Sequence, residues 1–239
     1  MKVGITLPQF QDDAELALEV ARLAEAAGLD GVFVFDHLWP IGRPDRPALH
    51  GPTLLAALAA ETGRVAVGTL VARVGLVPDA VLVHQFATVQ RIAGDRLVAG
   101  LGIGDQLSRP ENEAYGVRFA PVEERRAALT GVCRSLRGIG VTTWIGGKSQ
   151  VTTAIAQMEA DAVNRWQSRA EEVAGEVARG TEVTWGGQID VAGGEETDVA
   201  RLLRELARAG ASWAVLSPVT GDWKAALRTI VGATTNYAR

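Results

Sequence analysis

Short apolar runs of β-forming residues alternate with stretches of helical period from one end of this chain to the other, and that alternation limits the fold more than any other feature. Residues 3–7 form the first run, stopped by Pro8, and Leu16, Val20, Leu23, Ala24 and Ala27 then fall on one helical face. Gly28 follows the last periodic residue, where a left-handed terminating position favours glycine, and residues 31–35 begin a second strand. The unit is β-α-β. It is followed by a helix near 53–63, a strand at 65–71, a helix N-capped by Asp79, and a strand at 97–101. A helix over 121–137 lays Val122, Leu129, Val132, Cys133 and Leu136 along one stripe, which makes the lone cysteine a small core residue. Strands are expected at 141–145, 160–164, 182–185 and 212–216. Helices fall within 167–179 and 196–209, and a last one carries Trp223, Leu227, Ile230 and Val231.

Strands that are apolar throughout, rather than alternating, imply a parallel sheet covered by helices, and eight β-α units in roughly 250 residues is the usual size of a closed (β/α)8 TIM barrel. An open doubly wound sheet is the competing α/β architecture. No Pro-, Ser- or charge-rich linker divides the 239 residues, so residues 1–239 read as one domain. Apolar residues at 47% and charged residues at 22% exclude a disordered chain. A net charge of −4 with scattered basic residues gives no footprint for nucleic acid. The longest stretch without Asp, Glu, Lys or Arg runs over 47–60, shorter than the roughly 20 residues of a membrane span, and no signal pattern opens the chain. A cytoplasmic protein is expected. One cysteine and three unclustered histidines argue against an internal disulfide or a zinc site.

In a parallel barrel the working face lies at the C-terminal ends of the strands. The residues just after each apolar run include Gln9, Asp36, His37, Trp39, Thr69, Arg73, the segment 102–105, the segment 146–149, Asn164 and Ser217. Gly100, Gly102 and Gly104 run as G-x-G-x-G, which lacks the spacing of the dinucleotide turn, and Gly147-Lys148-Ser149 lacks the leading glycine of a phosphate loop. What survives is general. A strand running into Gly146 and Gly147 before a helix offers open backbone N–H groups, and Lys148 adds charge, so a single phosphate can dock there. Turn geometry alone would explain the same glycines. Asp36 with His37 reads either as a hydrogen-bonded core pair or as a site pair, and Asp105 either as a solvated turn acid or as a proton donor. The Pro- and Gly-rich segment 39–52 is long enough for a lid or a subunit contact.

Several segments resemble, in order, the bacterial-luciferase-like flavin- or deazaflavin-dependent oxidoreductases. They are Lys2-Val3-Gly4-Ile5 with Pro8, Asp36-His37, Val67-Gly68-Thr69 with Val71, Asp95-Arg96-Leu97 onward to Gly104, Glu113-Ala114-Tyr115-Gly116, Trp144-Ile145-Gly146-Gly147, and Asp161 to Asn164-Arg165-Trp166. The resemblance implies a (β/α)8 barrel with a tricyclic ring in its mouth and a phosphate on Gly146, Gly147 and Lys148. It implies that Asp36 and His37 lie near the reacting ring, that Thr69, Leu70 and Val71 back it, that Gly102 and Gly104 let the chain pass close, and that Asn164 belongs to the sixth-strand motif. A cis peptide is implied at Leu70–Val71. The cofactor would be coenzyme F420, with FMN the alternative. The activity would be hydride transfer to or from a C=N, C=C or C=O carbon of a small molecule, with His37 or Asp105 managing the proton. An FMN-dependent monooxygenase and a non-catalytic cofactor-binding protein are the alternatives. Asp105 stands where some deazaflavin-dependent members carry a glutamate, one methylene longer. Family relatives are commonly homodimers. Two departures stand out: only residues 138–140 separate a long helix from the fifth strand, where relatives carry an insertion, and Asp161-Ala162 replaces an acidic-glycine pair.

Overall fold

The computed structural model describes residues 1–191 and 196–237. Among them, nine parallel strand segments form one sheet: β1 (Lys2–Thr6), β2 (Gly31–Val34), β3 (Ala66–Thr69), β4 (Ala72–Arg73), β5 (Leu97–Gly102), β6 (Thr142–Gly146), β7 (Ala162–Trp166), β8 (Val183–Asp190) and β9 (Trp213–Val219). Their order is β3-β2-β1-β9-β8-β7-β6-β5-β4, and a β3–β5 pairing closes the cylinder. β3 and β4 are two pieces of the third barrel strand, separated by the cis peptide Leu70–Val71, the position the resemblance implied. The closed (β/α)8 barrel therefore holds, and the open doubly wound alternative does not.

The helices lie between strands: α1 (Glu15–Ala26), α2 (Gly51–Glu61), α3 (Asp79–Ala93), α4 (Arg109–Ala114), α5 (Val122–Gly138), α6 (Gln150–Glu159), α7 (Ala170–Val177), α8 (Glu196–Arg208) and α9 (Trp223–Tyr237). Strand residues alternate between two burial environments, because successive side chains leave a strand on opposite faces. Val3, Ile5, Val32 and Val34 join Ala17, Val20, Leu55 and Leu58 in the core between barrel and helices. Phe33, Leu70, Val98, Trp144, Ala162 and Val215 form a second cluster within the cylinder. There Phe33 stacks on Trp144 at 5.3 Å and meets Trp213 edge-on at 5.8 Å. Gly4, Gly31 and Gly68 make room for that ring, since an added Cβ at each would come within 2.7–2.9 Å of Phe33. The lower barrel is packed solid, leaving the C-terminal mouth for chemistry.

Three expectations change. β8 runs to Asp190, well past residue 185, and pairs with β9 as far as Asp190↔Val219. Within β8, Gly186 packs against Leu70 and Trp166, 3.0 and 3.1 Å from where a Cβ would sit. Asp79 is the first residue of α3 rather than its cap, which is Pro78; there its carboxylate still suits the positive end of the helix. α4 falls where the periodicity indicates no element. The connection from α5 to β6 is as short as expected, residues 139–141.

At the opposite end of the barrel, Glu25 Oε1 accepts from the backbone N–H groups of Gly63, Arg64 and Val65 at 2.9, 2.6 and 3.1 Å. Burial pushes this carboxyl up, but the three amides and the Arg64 charge outweigh it and hold the group below its usual range. Because the folded value lies below the unfolded one, the stabilisation is present above about pH 4.3 and is lost as pH falls through the folded value. Glu25→Gln is expected to cost about 1–2 kcal/mol at pH 7. Urea unfolding should show the two proteins converging in acid; a pH-independent difference would refute the assignment.

Candidate functional site

Two unlike halves make up the barrel mouth. On the β4–β6 side the inner positions are glycines packed around Val71: a Cβ at Gly102 would sit 2.5 Å from Val71 Cγ2, and one at Gly146 would sit 3.0 Å from Cγ1. The half-buried Val71 side chain takes the space that a side chain at either glycine would need, so Val71 itself faces that half. Across the mouth, Phe35 from the end of β2 meets Trp166 from the end of β7 edge-on at 5.9 Å, and Phe10 stacks on Phe35 at 6.1 Å. β2 and β7 stand four strands apart in the closed order, so this contact spans the mouth.

A buried charge network occupies the rim between β2, β4 and α4. Asp36 Oδ2 accepts from the Arg73 backbone N–H at 2.9 Å, and Arg73 Nε donates to the Asp36 carbonyl at 2.9 Å. Arg73 also donates to Asn112 Oδ1 at 3.2 Å and pairs with Glu111 Oε2 at 2.9 Å. Glu111 Oε2 lies 3.1 Å from His37 Nδ1, while Oε1 accepts from the Leu38 backbone N–H and from that of Trp39 at 3.4 Å. Asp36, Arg73, Glu111 and Asn112 are all buried, whereas His37 keeps 20% of its side chain exposed. Burial pushes the Asp36 carboxyl above its ordinary value, against the Arg73 amide and charge, and its Oδ1 has no hydrogen-bond partner. For Glu111, burial acts upward too, but the His37 bond, the Arg73 charge and the Leu38 amide prevail and hold it below the usual range.

On the same rim, β6 runs through Gly146 and Gly147 into α6. Ser149 caps that helix by accepting from the Thr152 backbone N–H at 3.1 Å. Arg165, buried on β7, braces the loop from behind. Its Nη1 donates to the Gly147 carbonyl, Nη2 to Thr153 Oγ1 at 2.7 Å, and its charge meets Glu176 at 2.6 Å. A Cβ at Gly147 would sit 2.8 Å from Thr152 Cγ2, so only glycine lets the loop lie this close to the helix start. Lys148 is exposed beside it. The open amides, a cation and a helix N-terminus suit one phosphate, and the glycine-lined half of the mouth suits a flat ring.

The structure brings Asp36, His37, Leu70, Val71, Gly102, Gly104, Gly146, Gly147 and Lys148 to the one mouth or its rim. Gly104 takes φ +68, a conformation that favours glycine, and Arg125 holds its carbonyl at 2.7 Å. Thr69 and Asn164 spend their side chains within the wall, Thr69 Oγ1 donating to the Gly100 carbonyl at 2.7 Å and Asn164 Nδ2 to Thr184 Oγ1 at 3.0 Å. Asp105 is exposed and caps a 3₁₀ turn, its Oδ1 accepting from the Leu107 and Ser108 backbone N–H groups at 2.9 and 3.2 Å. That is the turn-acid arrangement. Glu111 is the residue that sequence reasoning missed. It lies 74 residues from His37, and nothing in its own neighbourhood signals burial. Among the described residues no metal-binding cluster of His, Cys, Asp or Glu occurs, and no helix is long and apolar enough to cross a membrane.

Comparison with known proteins agrees with this geometry. The F420-dependent glucose-6-phosphate dehydrogenase of Kineococcus radiotolerans is 36% identical over 138 residues, which is 57% of this chain and 40% of that protein. The enzyme of the same name from Amycolatopsis mediterranei is 31% identical over 142 residues, 57% and 41% of the two chains. The match thus spans about two-fifths of the length of these curated relatives. Among solved structures, an F420-dependent secondary alcohol dehydrogenase in complex with an F420-acetone adduct superposes with a TM-score of 0.83. It shares 14% identity and covers 99% of this chain and 98% of its own. The monooxygenase RslO1 from Streptomyces bottropensis gives 0.75 at 15% identity, with both chains covered completely. The sequence pattern of the luciferase-like monooxygenases matches residues 1–143, more than half of the chain. The closed barrel, the cis peptide after β3 and the glycine-lined mouth beside His37 thus belong to a member of the luciferase-like monooxygenase family.

Proposed function

We propose that this protein is an oxidoreductase that holds coenzyme F420 in the barrel mouth and exchanges hydride with a small, uncharged organic substrate. The observation that supports the reading is the shared rim: Val71 packed on Gly102 and Gly146, the Gly147 loop beside a helix start, and the imidazole of His37 all lie at the C-terminal end of one barrel. The relatives from Kineococcus and Amycolatopsis, both named as F420-dependent enzymes, favour the deazaflavin over FMN.

Gly146, Gly147, Lys148 and the start of α6 would hold the coenzyme phosphate. Leu70 and Val71 would back the ring, and Gly102 and Gly104 would let the chain pass beneath it, while Asp36, Thr69 and Asn164 keep the surrounding wall in register. The bound coenzyme supplies hydride chemistry, which no side chain can perform. The protein's own part is orientation and the proton. His37, partly exposed among buried neighbours, takes up or delivers the proton that accompanies hydride transfer at an alcohol or carbonyl oxygen. Asp105 is already engaged as a turn cap and is left outside this role.

Substrate charge is read from the ion pair that touches His37. Arg73 is paired with Glu111, both buried, so among the described residues this corner offers no unmatched cation. Trp39 and Tyr115, 5.7 Å apart, offer ring surface. An uncharged alcohol, ketone or alkene fits this rim better than a sugar phosphate.

Titration with F420 and with FMN, followed by ligand fluorescence, tests the cofactor. Binding of F420 at least tenfold tighter than FMN is expected, with turnover of a neutral secondary alcohol exceeding that of glucose 6-phosphate. Preference for FMN would replace the reading with a flavin monooxygenase, and binding of neither would end it.

A further inference from the structure

We infer that Glu111 is a positioning residue that fixes His37 in the tautomer protonated on Nδ1, leaving Nε2 as the nitrogen available for proton exchange. An ionised carboxylate only accepts hydrogen bonds, so a neutral imidazole whose Nδ1 lies 3.1 Å from Glu111 Oε2 must carry its proton on Nδ1. Among the described residues Nε2 has no hydrogen-bond partner.

The groups around Glu111 leave it little choice of state or pose. Oε2 is shared by His37 and Arg73, and Oε1 by the backbone N–H groups of Leu38 and Trp39. Arg73 and the two backbone N–H groups are donors whichever tautomer His37 adopts, and the side chain is 2% exposed. Protonating Glu111 would set a donor against one of them; burial, the largest single influence, pushes the carboxyl up, and the partners together still hold it below its ordinary value. The other charged groups at this corner are Asp36, from the end of β2, and His50, whose Nδ1 is bonded to Thr53 Oγ1 at 2.7 Å. Neither hydrogen-bonds the His37 ring. The arrangement follows a general rule, that the nitrogen a histidine uses is set by the hydrogen bond its other nitrogen makes. Here the orienting carboxylate comes from α4, six residues long and 74 residues away in sequence.

A purely structural carboxylate, one that only ties residues 38–39 to α4, would show the same burial, so the test must read the ring itself. Nitrogen-15 NMR of the coenzyme-free protein, at a pH where His37 is neutral, reports the tautomer directly. A pyrrole-type Nδ1 and a pyridine-type Nε2 are expected in the wild type; the reverse pattern would overturn the inference without any variant. In Glu111→Gln the single amide oxygen cannot serve both sides, and the NH2 group must face either Leu38 or the Arg73–His37 pair. Because the pose with oxygen toward Arg73 and His37 would keep the tautomer, the decisive variant is Glu111→Ala, which leaves no acceptor at Nδ1: there, in a preparation folded by circular dichroism, the Nδ1–H preference should be lost, and an unchanged tautomer would overturn the inference. The catalytic consequence rests on the F420 reading. There kcat should fall at least tenfold with KM and coenzyme affinity within twofold, and Glu111→Asp, one methylene short, should not restore it. A kcat within twofold of wild type in Glu111→Ala would overturn the positioning role, and the tautomer, read without coenzyme, stands or falls separately from the cofactor.

Discussion

Replacing His37 with alanine is expected to lower turnover by about 10²- to 10⁴-fold, the range for loss of a positioned acid or base, while coenzyme affinity stays within about threefold. The size of the effect comes from the lack of a substitute. Of the two other histidines, His50 is bonded to Thr53 in the loop before α2, and His84 is exposed on α3. Asp105 faces solvent as a turn cap, and Glu111 is enclosed by His37, Arg73 and two backbone N–H groups. A water molecule would have to carry the proton in the variant. Steady-state kinetics on the coenzyme's absorbance, paired with a fluorescence titration of the same preparation, separates turnover from binding. Retention of more than a tenth of wild-type kcat would remove His37 from the mechanism.

The second large effect is structural and reaches the phosphate loop from behind. Arg165→Met should destabilise the protein by about 3–5 kcal/mol, because it strands a mostly buried carboxylate: Glu176 loses its cation with only 14% of its side chain exposed. At roughly 2–4 °C per kcal/mol for a chain of this size, the melting temperature should drop by roughly 10 °C or more. The same change frees the Gly147 carbonyl and Thr153 Oγ1, so coenzyme binding should weaken even where the variant is folded. The double variant Arg165→Met with Glu176→Gln removes the stranded charge and should recover much of the stability but not the affinity. If both properties recover together, the arginine is a stability element alone. If the single variant melts within 2 °C of wild type, the buried pair is not what holds the loop.

Much of the architecture was legible because a strand in a helix-covered parallel barrel is buried on both faces and has to be written as an apolar run. β1, β5 and β6 match their expected positions within a residue or two for this reason. Boundaries failed where a local rule met a tertiary reason. The sequence places the end of a strand at residue 185, yet pairing with β9 carries that strand on to Asp190. Pro78 rather than Asp79 is the N-cap of α3, since the fixed backbone of proline serves as well at that turn. The Gly146-Gly147-Lys148 turn, proposed here to hold a phosphate, could be read because it is one contiguous segment at a strand end. Arg165 lies on the neighbouring strand, and its grip on that loop could not be read from the segment.

From its sequence alone this chain determined the barrel and which residues stand at its strand ends, His37 among them, since each is written in a local run of residues or in a strand end. Only the folded molecule decided which groups surround that imidazole. Glu111 sits in a six-residue helix with no readable period, and Arg73 follows a cis peptide. They meet His37 because closure of the sheet joins β3 to β5 and swings α4 across the rim. Partners brought together over such separations are selected by the geometry of the closed cylinder, and no pattern along the chain encodes that geometry residue by residue.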